Sequence, residues 1–159
     1  MNQKSISFIL NGKETEYCGE PTDRLLDALR NTYDLYSVKC GCREGECGAC
    51  SVIIDDELTN SCLVAMGTVE GSRVLTLEGY KNTERFKCLD KAFDEFSAVQ
   101  CGFCTPGMIM AAENLLSHNP HPSESEIRSA MSGNLCRCTG YNAIVRAIKN
   151  AAKEGDGLW

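Results

Sequence analysis

Eleven cysteines in 159 residues carry most of the chemistry this sequence can do, and eight of them fall into two groups. The first group is Cys42-x4-Cys47-x2-Cys50, with Cys62 following after eleven intervening residues. Three thiolates wrapped about one centre require a tight loop, and Gly41, Gly45 and Gly48 permit backbone angles that other residues resist. Glycine also lets backbone N–H groups approach the sulfurs, where hydrogen bonds tune a reduction potential. A C-x4-C-x2-C run with a distant fourth cysteine is the spacing of a [2Fe–2S] site. Structural zinc sites more often pair their ligands as C-x2-C knuckles at both ends, and this loop does not. Cys40 stands two residues ahead of Cys42. A ligand run beginning at Cys40 would widen the first gap from four residues to six, so Cys42 is the better ligand and Cys40 a spare thiol.

The second group is Cys101-x2-Cys104 with Cys136-x-Cys138. Spacing alone admits zinc as well as an iron–sulfur cluster here. Cys104-Thr105-Pro106 and Cys138-Thr139-Gly140 are similar triplets, each leading into a predicted helix, so two helix N-termini would be aimed at one centre. Helix N-termini favour negative charge, which suits an anionic cluster. The remaining candidates are plainer. His118 and His121 fall in a Pro-bounded loop and read as solvated or capping residues, and Glu44 and Glu46 as surface charge. There is no phosphate-binding glycine loop and no Ser/His/Asp arrangement.

The elements that must hold these cysteines divide the chain in two. In the first half Ile6, Phe8 and Leu10 alternate with polar neighbours, Asn11-Gly12 signals a hairpin, and Glu14 to Tyr17 returns as the partner strand. Pro21-Thr22 opens a helix with Leu25, Leu26 and Leu29 on one face. Ser51 to Ile54 and Leu58 to Ser61 flank the turn Asp55-Asp56-Glu57, Val74 to Leu77 is a last strand, and Glu78 to Thr83 is a linker. The second half predicts four helices. Phe86, Leu89, Phe93 and Phe96 mark the first. Thr105-Pro106 is an N-cap with a following proline for the second, whose stripe is Met108, Ile109, Ala112, Leu115 and Leu116. After the break at His118 to Pro122, Ser123-x-x-Glu126 is a capping box for the third. Ile144, Val145, Ile148 and Ala152 mark the fourth. Domains of this size gain from a metal centre.

The net charge is −6, with 22 acidic against 16 basic residues and no basic stripe, which disfavours nucleic acid as a partner. Met1 to Phe8 has no apolar stretch with a cleavage site, and no run approaches the roughly 20 apolar residues of a membrane span. A cytoplasmic setting follows as the expectation, and there clustered cysteines mean metal or redox chemistry rather than disulfides.

Four segments together resemble the small iron–sulfur subunit of the molybdenum hydroxylases, the xanthine dehydrogenase family. They are Gly41-Cys-Arg-Glu-Gly-Glu-Cys-Gly-Ala-Cys50, Thr76-Leu-Glu-Gly79, Val99-Gln-Cys-Gly-Phe-Cys-Thr-Pro-Gly-Met108 and Gly133-Asn-Leu-Cys-Arg-Cys-Thr-Gly-Tyr141. Their order and separation cover nearly the whole chain. The resemblance implies an α+β protein: a β-grasp, plant-type ferredoxin-like domain over residues 1–78 and an all-α four-helix [2Fe–2S]-binding domain over 79–159. It implies that Cys42, Cys47, Cys50 and Cys62 hold one [2Fe–2S] cluster and Cys101, Cys104, Cys136 and Cys138 the other. Gln100 and Cys138 match positions that approach the molybdopterin of a large catalytic subunit, and FAD is expected on a further subunit. The implied role is a non-catalytic electron relay, from molybdenum through the C-terminal and then the N-terminal cluster to FAD or an external acceptor. Purines are the first substrate expectation, and the resemblance equally admits nicotinate and other N-heterocycles, aldehydes, carbon monoxide and aromatic acyl-CoA esters, which similar subunits serve. A free-standing two-cluster ferredoxin and a zinc-stabilised interaction protein are the rival readings. Cys18, Cys40 and Cys88 are surplus to the motifs, and buried, inert thiols are the default for them.

Overall fold

The computed structural model describes residues 5–159; residues 1–4, part of the segment Met1–Phe8 read for a leader, lie outside the described residues. Strands β1 (Ile6–Leu10) and β2 (Lys13–Tyr17) pair antiparallel, with Leu10 opposite Lys13. Asn11 and Gly12 close the hairpin at φ of 52° and 80°, as a type I′ turn requires at both central residues. Ile6, Phe8 and Leu10 are buried against helix α1 (Leu25–Asn31), which contributes Leu25, Leu26 and Leu29. The helix starts at Leu25 and not at Pro21-Thr22, because the preceding backbone is used elsewhere. The Pro21 and Asp23 carbonyls accept the Gly67 and Met66 N–H groups, both at 2.8 Å. Arg24 is extended and bridges to Ala65.

Strands β3 (Ser51–Ile54) and β4 (Glu57–Asn60) meet at Asp55-Asp56, both in the left-handed region at φ of 48° and 73°. Glu57 therefore opens the strand instead of closing the turn, and Ser61 leaves it to begin a 3₁₀ turn (Ser61–Leu63). Strand β5 (Arg73–Leu75) runs parallel to β1 and antiparallel to β3, giving a sheet in the order β2-β1-β5-β3-β4. It stops short of Leu77 because Asn11 takes over Thr76. The Thr76 N–H donates to Asn11 Oδ1 at 2.8 Å, and Asn11 Nδ2 donates to Thr76 Oγ1 at 3.1 Å. The five-stranded mixed sheet folded over α1 is the expected β-grasp.

The segment expected as a linker is ordered by contacts to both halves. Residues 77–80 form a single turn of helix, α2 (Leu77–Tyr80). The Glu78 carboxylate accepts the Ser37 N–H at 2.9 Å, the Ser37 hydroxyl at 2.5 Å and the Thr76 hydroxyl at 2.7 Å. Tyr80 is buried among the helices that follow. These are α3 (Glu84–Glu95), α4 (Thr105–His118), α5 (Glu124–Met131) and α6 (Asn142–Glu154).

Their ends obey local rules. Thr83 Oγ1 accepts the Phe86 N–H at 3.1 Å. The Ser123–Glu126 capping box is complete, with Ser123 N–H to Glu126 Oε2 at 2.7 Å and Glu126 N–H to Ser123 Oγ at 3.3 Å. Cys104 occupies the cap position of α4, so Thr105 is its first residue.

Helix α4 runs between the sheet and the other helices and is buried nearly all round, from Gly107 to Glu113 and again at Leu116. Alternation in the strands serves both sides: Val52 and Val74 join the α1 side, Ile53 and Leu75 the helical core. At the centre of this packing Glu113, 5% exposed, collects four donors. Tyr80 hydroxyl reaches it, as do Arg85 at 3.0 Å, Ser117 at 2.8 Å and the Trp159 indole N–H at 2.7 Å. The 159 position, which sequence leaves open, is thus docked on the helical core. Among the described residues no helix is long and apolar enough to cross a membrane.

Candidate metal centres

The first cysteine set lies in the irregular stretch between α1 and β3, with Cys62 supplied by the 3₁₀ turn after β4. Arg43, Gly45 and Gly48 have φ of 63°, 84° and 64°, which curls the loop around its own sulfurs. Cys42 Sγ accepts the N–H groups of Glu44 at 3.4 Å and Glu46 at 3.3 Å, and Cys47 Sγ that of Cys42 at 3.4 Å. A Cβ at Gly41 would lie 2.7 Å from Cys47 Sγ, so only glycine lets the chain pass there. Glu44 and Glu46 thus serve the site through their backbone, and both side chains are exposed.

Cys42 neighbours Cys47, whose Sγ accepts its N–H, and Cys50 neighbours Cys62. The two pairs differ in environment. The Glu44 N–H leads the backbone donors that bring the Cys42 thiol down to about 7. Burial pushes Cys50 up to about 11, and Cys50 and Cys62 are only 3% and 2% exposed. Cys40 is exposed and turned towards Arg43, with Nη1 at 3.7 Å, while Arg43 is itself held by Asp27 at 2.5 Å.

The second set brings together two loops of the helical half. Cys101 Sγ and Cys138 Sγ are 3.8 Å apart and exposed. Cys104 and Cys136 make the inner pair. Burial raises Cys104 to about 12. Burial also opposes ionisation of Cys136, but the Thr139 hydroxyl at 3.1 Å and its N–H at 3.5 Å outweigh it and bring that thiol to about 7. Tyr141, in the left-handed region at φ 68°, folds its hydroxyl back to accept the Cys136 N–H at 2.9 Å. Cys138 lies ahead of α6, whose cap residue is Tyr141, so the two triplets do not sit identically: only Cys104 is itself a cap.

Among the described residues no three candidate ligands converge on one point; the four thiols of each set fall into two pairs. That is the donor arrangement of a two-iron cluster, in which each iron takes two cysteine sulfurs and the N–H groups around them offset the negative charge. The all-sulfur donor set fits such a group.

Gln100 is exposed beside the second set, where Val99, Phe103 and Leu135 are exposed too, at 43%, 47% and 56%. His118 caps its own helix, its Nδ1 2.8 Å from the Asn114 carbonyl, and His121 Nε2 is 3.7 Å from Asp156. Cys88 is half-buried with its thiol towards the Ala151 carbonyl, and Cys18 is exposed, so of the surplus cysteines neither Cys18 nor Cys40 is buried. Asn134, 3% exposed, lies within the segment Gly133–Tyr141 that carries the resemblance, but was given no role of its own from the sequence.

Residues 8–73 match the family described as the 2Fe-2S iron-sulfur cluster binding domain, and residues 76–149 the family described as the [2Fe-2S] binding domain. The chain is 48% identical to the nicotinate dehydrogenase small FeS subunit of Eubacterium barkeri, over 97% of this chain and 98% of that one. It is 38% identical to a probable xanthine dehydrogenase subunit of Bacillus subtilis, over 99% and 90%. Its fold superposes on a chain of the crystal structure of quinoline 2-oxidoreductase from Pseudomonas putida 86 with a TM-score of 0.89, at 42% identity over 96% of each chain.

Proposed function

Because this chain belongs to the small iron–sulfur subunit family of the molybdenum hydroxylases, we propose that its eight paired cysteines are the cluster ligands. Cys42, Cys47, Cys50 and Cys62 hold one [2Fe–2S] cluster, and Cys101, Cys104, Cys136 and Cys138 the other. The chain is the electron-transfer subunit of an oxidoreductase and carries no catalytic residue of its own. The pairing of the thiols is the observation that supports the assignment, since it supplies two sulfurs to each iron twice over. When bound, each cluster accepts and releases a single electron. The chain's own residues hold that charge: N–H groups converge on Cys42 and Cys47, Thr139 serves Cys136, and burial keeps water from Cys50 and Cys62.

The two halves are read as two cluster domains, residues 1–78 and 79–159, joined through α2. Gln100 and Cys138, on the exposed face with Val99, Phe103 and Leu135, meet the molybdopterin-binding large subunit. The exposed Cys42 loop faces a FAD-binding subunit or an external acceptor. When bound, the cluster held by Cys101, Cys104, Cys136 and Cys138 would receive electrons from the large subunit, and the one held by Cys42, Cys47, Cys50 and Cys62 would pass them outward. The complex is cytoplasmic. Nicotinate, xanthine and quinoline, which name the three relatives above, are all nitrogen heteroaromatics. The substrate class we infer is accordingly a nitrogen heterocycle, which takes in the purines expected first and the nicotinate alternative named beside them.

The complex isolated through a tag on this chain tests the reading. About four irons per copy are expected for two [2Fe–2S] clusters, accompanied by molybdenum. Iron without molybdenum, on a chain that elutes alone, would leave a two-cluster ferredoxin and remove the partners. Turnover with nicotinate, but not with an aliphatic aldehyde, supports the heterocycle class; the reverse overturns it.

A further inference from the structure

The two cysteine sets are joined through the backbone. The Leu135 N–H donates to the Cys47 carbonyl at 2.9 Å, and Leu135 is covalently next to Cys136. One hydrogen bond therefore links a residue of the first set to the immediate neighbour of a residue of the second. Beside it the buried Asn134 donates from Nδ2 to the Gly48 carbonyl at 2.9 Å and lies 3.4 Å from Ser51 Oγ. The fit is close: a Cβ on Gly48 would lie 2.5 Å from both Asn134 Nδ2 and the Gly133 carbonyl, and one on Gly107 would strike the Gly48 carbonyl. From behind, the Tyr141 hydroxyl donates to the Asn134 carbonyl at 3.2 Å and accepts the Cys136 N–H. Residues 134–136 are thus fixed at both ends, and the Asn134 side chain is the part that reaches across to the other half.

We propose that Asn134 is a positioning residue for electron transfer between the two clusters. Its side-chain amide holds the Gly48 carbonyl and so keeps the Leu135 N–H on the Cys47 carbonyl. Electronic coupling decays less across bonds and hydrogen bonds than across gaps, so this contact governs how well the two sets communicate. One electron crosses at a time; the Cys136 side is oxidised, the Cys47 side is reduced, and no proton or covalent bond is displaced. The inference rests on the ligand assignment proposed above.

The test uses the cluster-loaded protein and three variants, Asn134→Ala, Asn134→Asp and Ser51→Ala. In the wild type, electron paramagnetic resonance of the reduced protein should show two cluster signals with mutual spin splitting. A single signal would overturn the ligand assignment itself. In Asn134→Ala both signals and the iron content persist, the splitting shrinks, inter-cluster equilibration slows several-fold, and the Leu135 amide exchanges about tenfold faster. Asn134→Asp keeps the side chain's shape without the donor and should behave alike; it carries the test if the alanine variant loses iron. Ser51→Ala removes a donor to the same carbonyl from within the sheet half, Ser51 Oγ to Gly48 at 2.7 Å, and should leave splitting and exchange near wild type. Unchanged splitting and exchange in the Asn134 variants, or an equal change in Ser51→Ala, overturns the role of Asn134.

Discussion

Cys138 Sγ faces Cys101 Sγ at 3.8 Å, so Cys138→Ser is expected to cost the helical-half cluster while the sheet-half cluster survives. Iron should fall from about four to about two per chain, with one of two resonance signals lost. Cys40→Ser should keep both clusters, because that thiol meets Arg43 Nη1 at 3.7 Å while the partner of Cys42 is Cys47. Loss of the sheet-half signal in that variant would mean the ligand run starts at Cys40. The eight cysteines were legible because loop closure about one centre writes itself into spacing. The residues that brace them were not. Asn134 and Glu113 are ordinary polar letters until folding buries them. What each does depends on partners 86 residues away for Asn134–Gly48 and 33 for Tyr80–Glu113.

At the scale of elements, Glu113 gathers α2, α3, α4 and Trp159 onto one carboxylate. Glu113→Ala should destabilise the cluster-loaded chain by roughly 3 kcal/mol, since Tyr80, Arg85 and the indole lose a shared buried acceptor. Chemical unfolding followed by circular dichroism measures it. The α2 contact is pH-dependent. Burial opposes ionisation of Glu78, but Ser37 and Thr76 outweigh it and hold the carboxyl below its ordinary range. A folded value below the unfolded one of about 4.3 gives stabilisation that is full above that pH and is lost as the pH falls through the folded value. The Ser37 amide should therefore exchange faster relative to its neighbours under acid, and Glu78→Gln should abolish that pH dependence. The hairpin, the capping box and the helix stripes followed the sequence closely because each is decided within a few residues. Element ends slipped where a distant group intervened: Asn11 at the end of β5, Gly67 and Met66 ahead of α1. The supposed linker slipped for the same reason, through Ser37 and the helical core.

For the whole molecule, the exposed Val99 and Phe103 flank Cys101 along the chain and the exposed Leu135 adjoins Cys136, and aromatic residues at an interface dominate binding energy. Phe103→Asp should weaken co-purification with the large subunit at least about tenfold while both cluster signals stay as in the wild type. Retained association would place the large subunit on another face. The two-half division was visible as strand-rich then helical composition. The sharing of one core was not, because Ile53 and Leu75 read as ordinary strand residues whichever side they face. That sharing has a consequence for handling the protein. With α4 removed, Ile53, Leu58 and Leu75 would form an open greasy face beside an uncovered β4, the kind of surface that precipitates. Expressed alone, the sheet half is a recipe for inclusion bodies, whereas a chain nicked by protease at the exposed Lys81 would still travel as one particle.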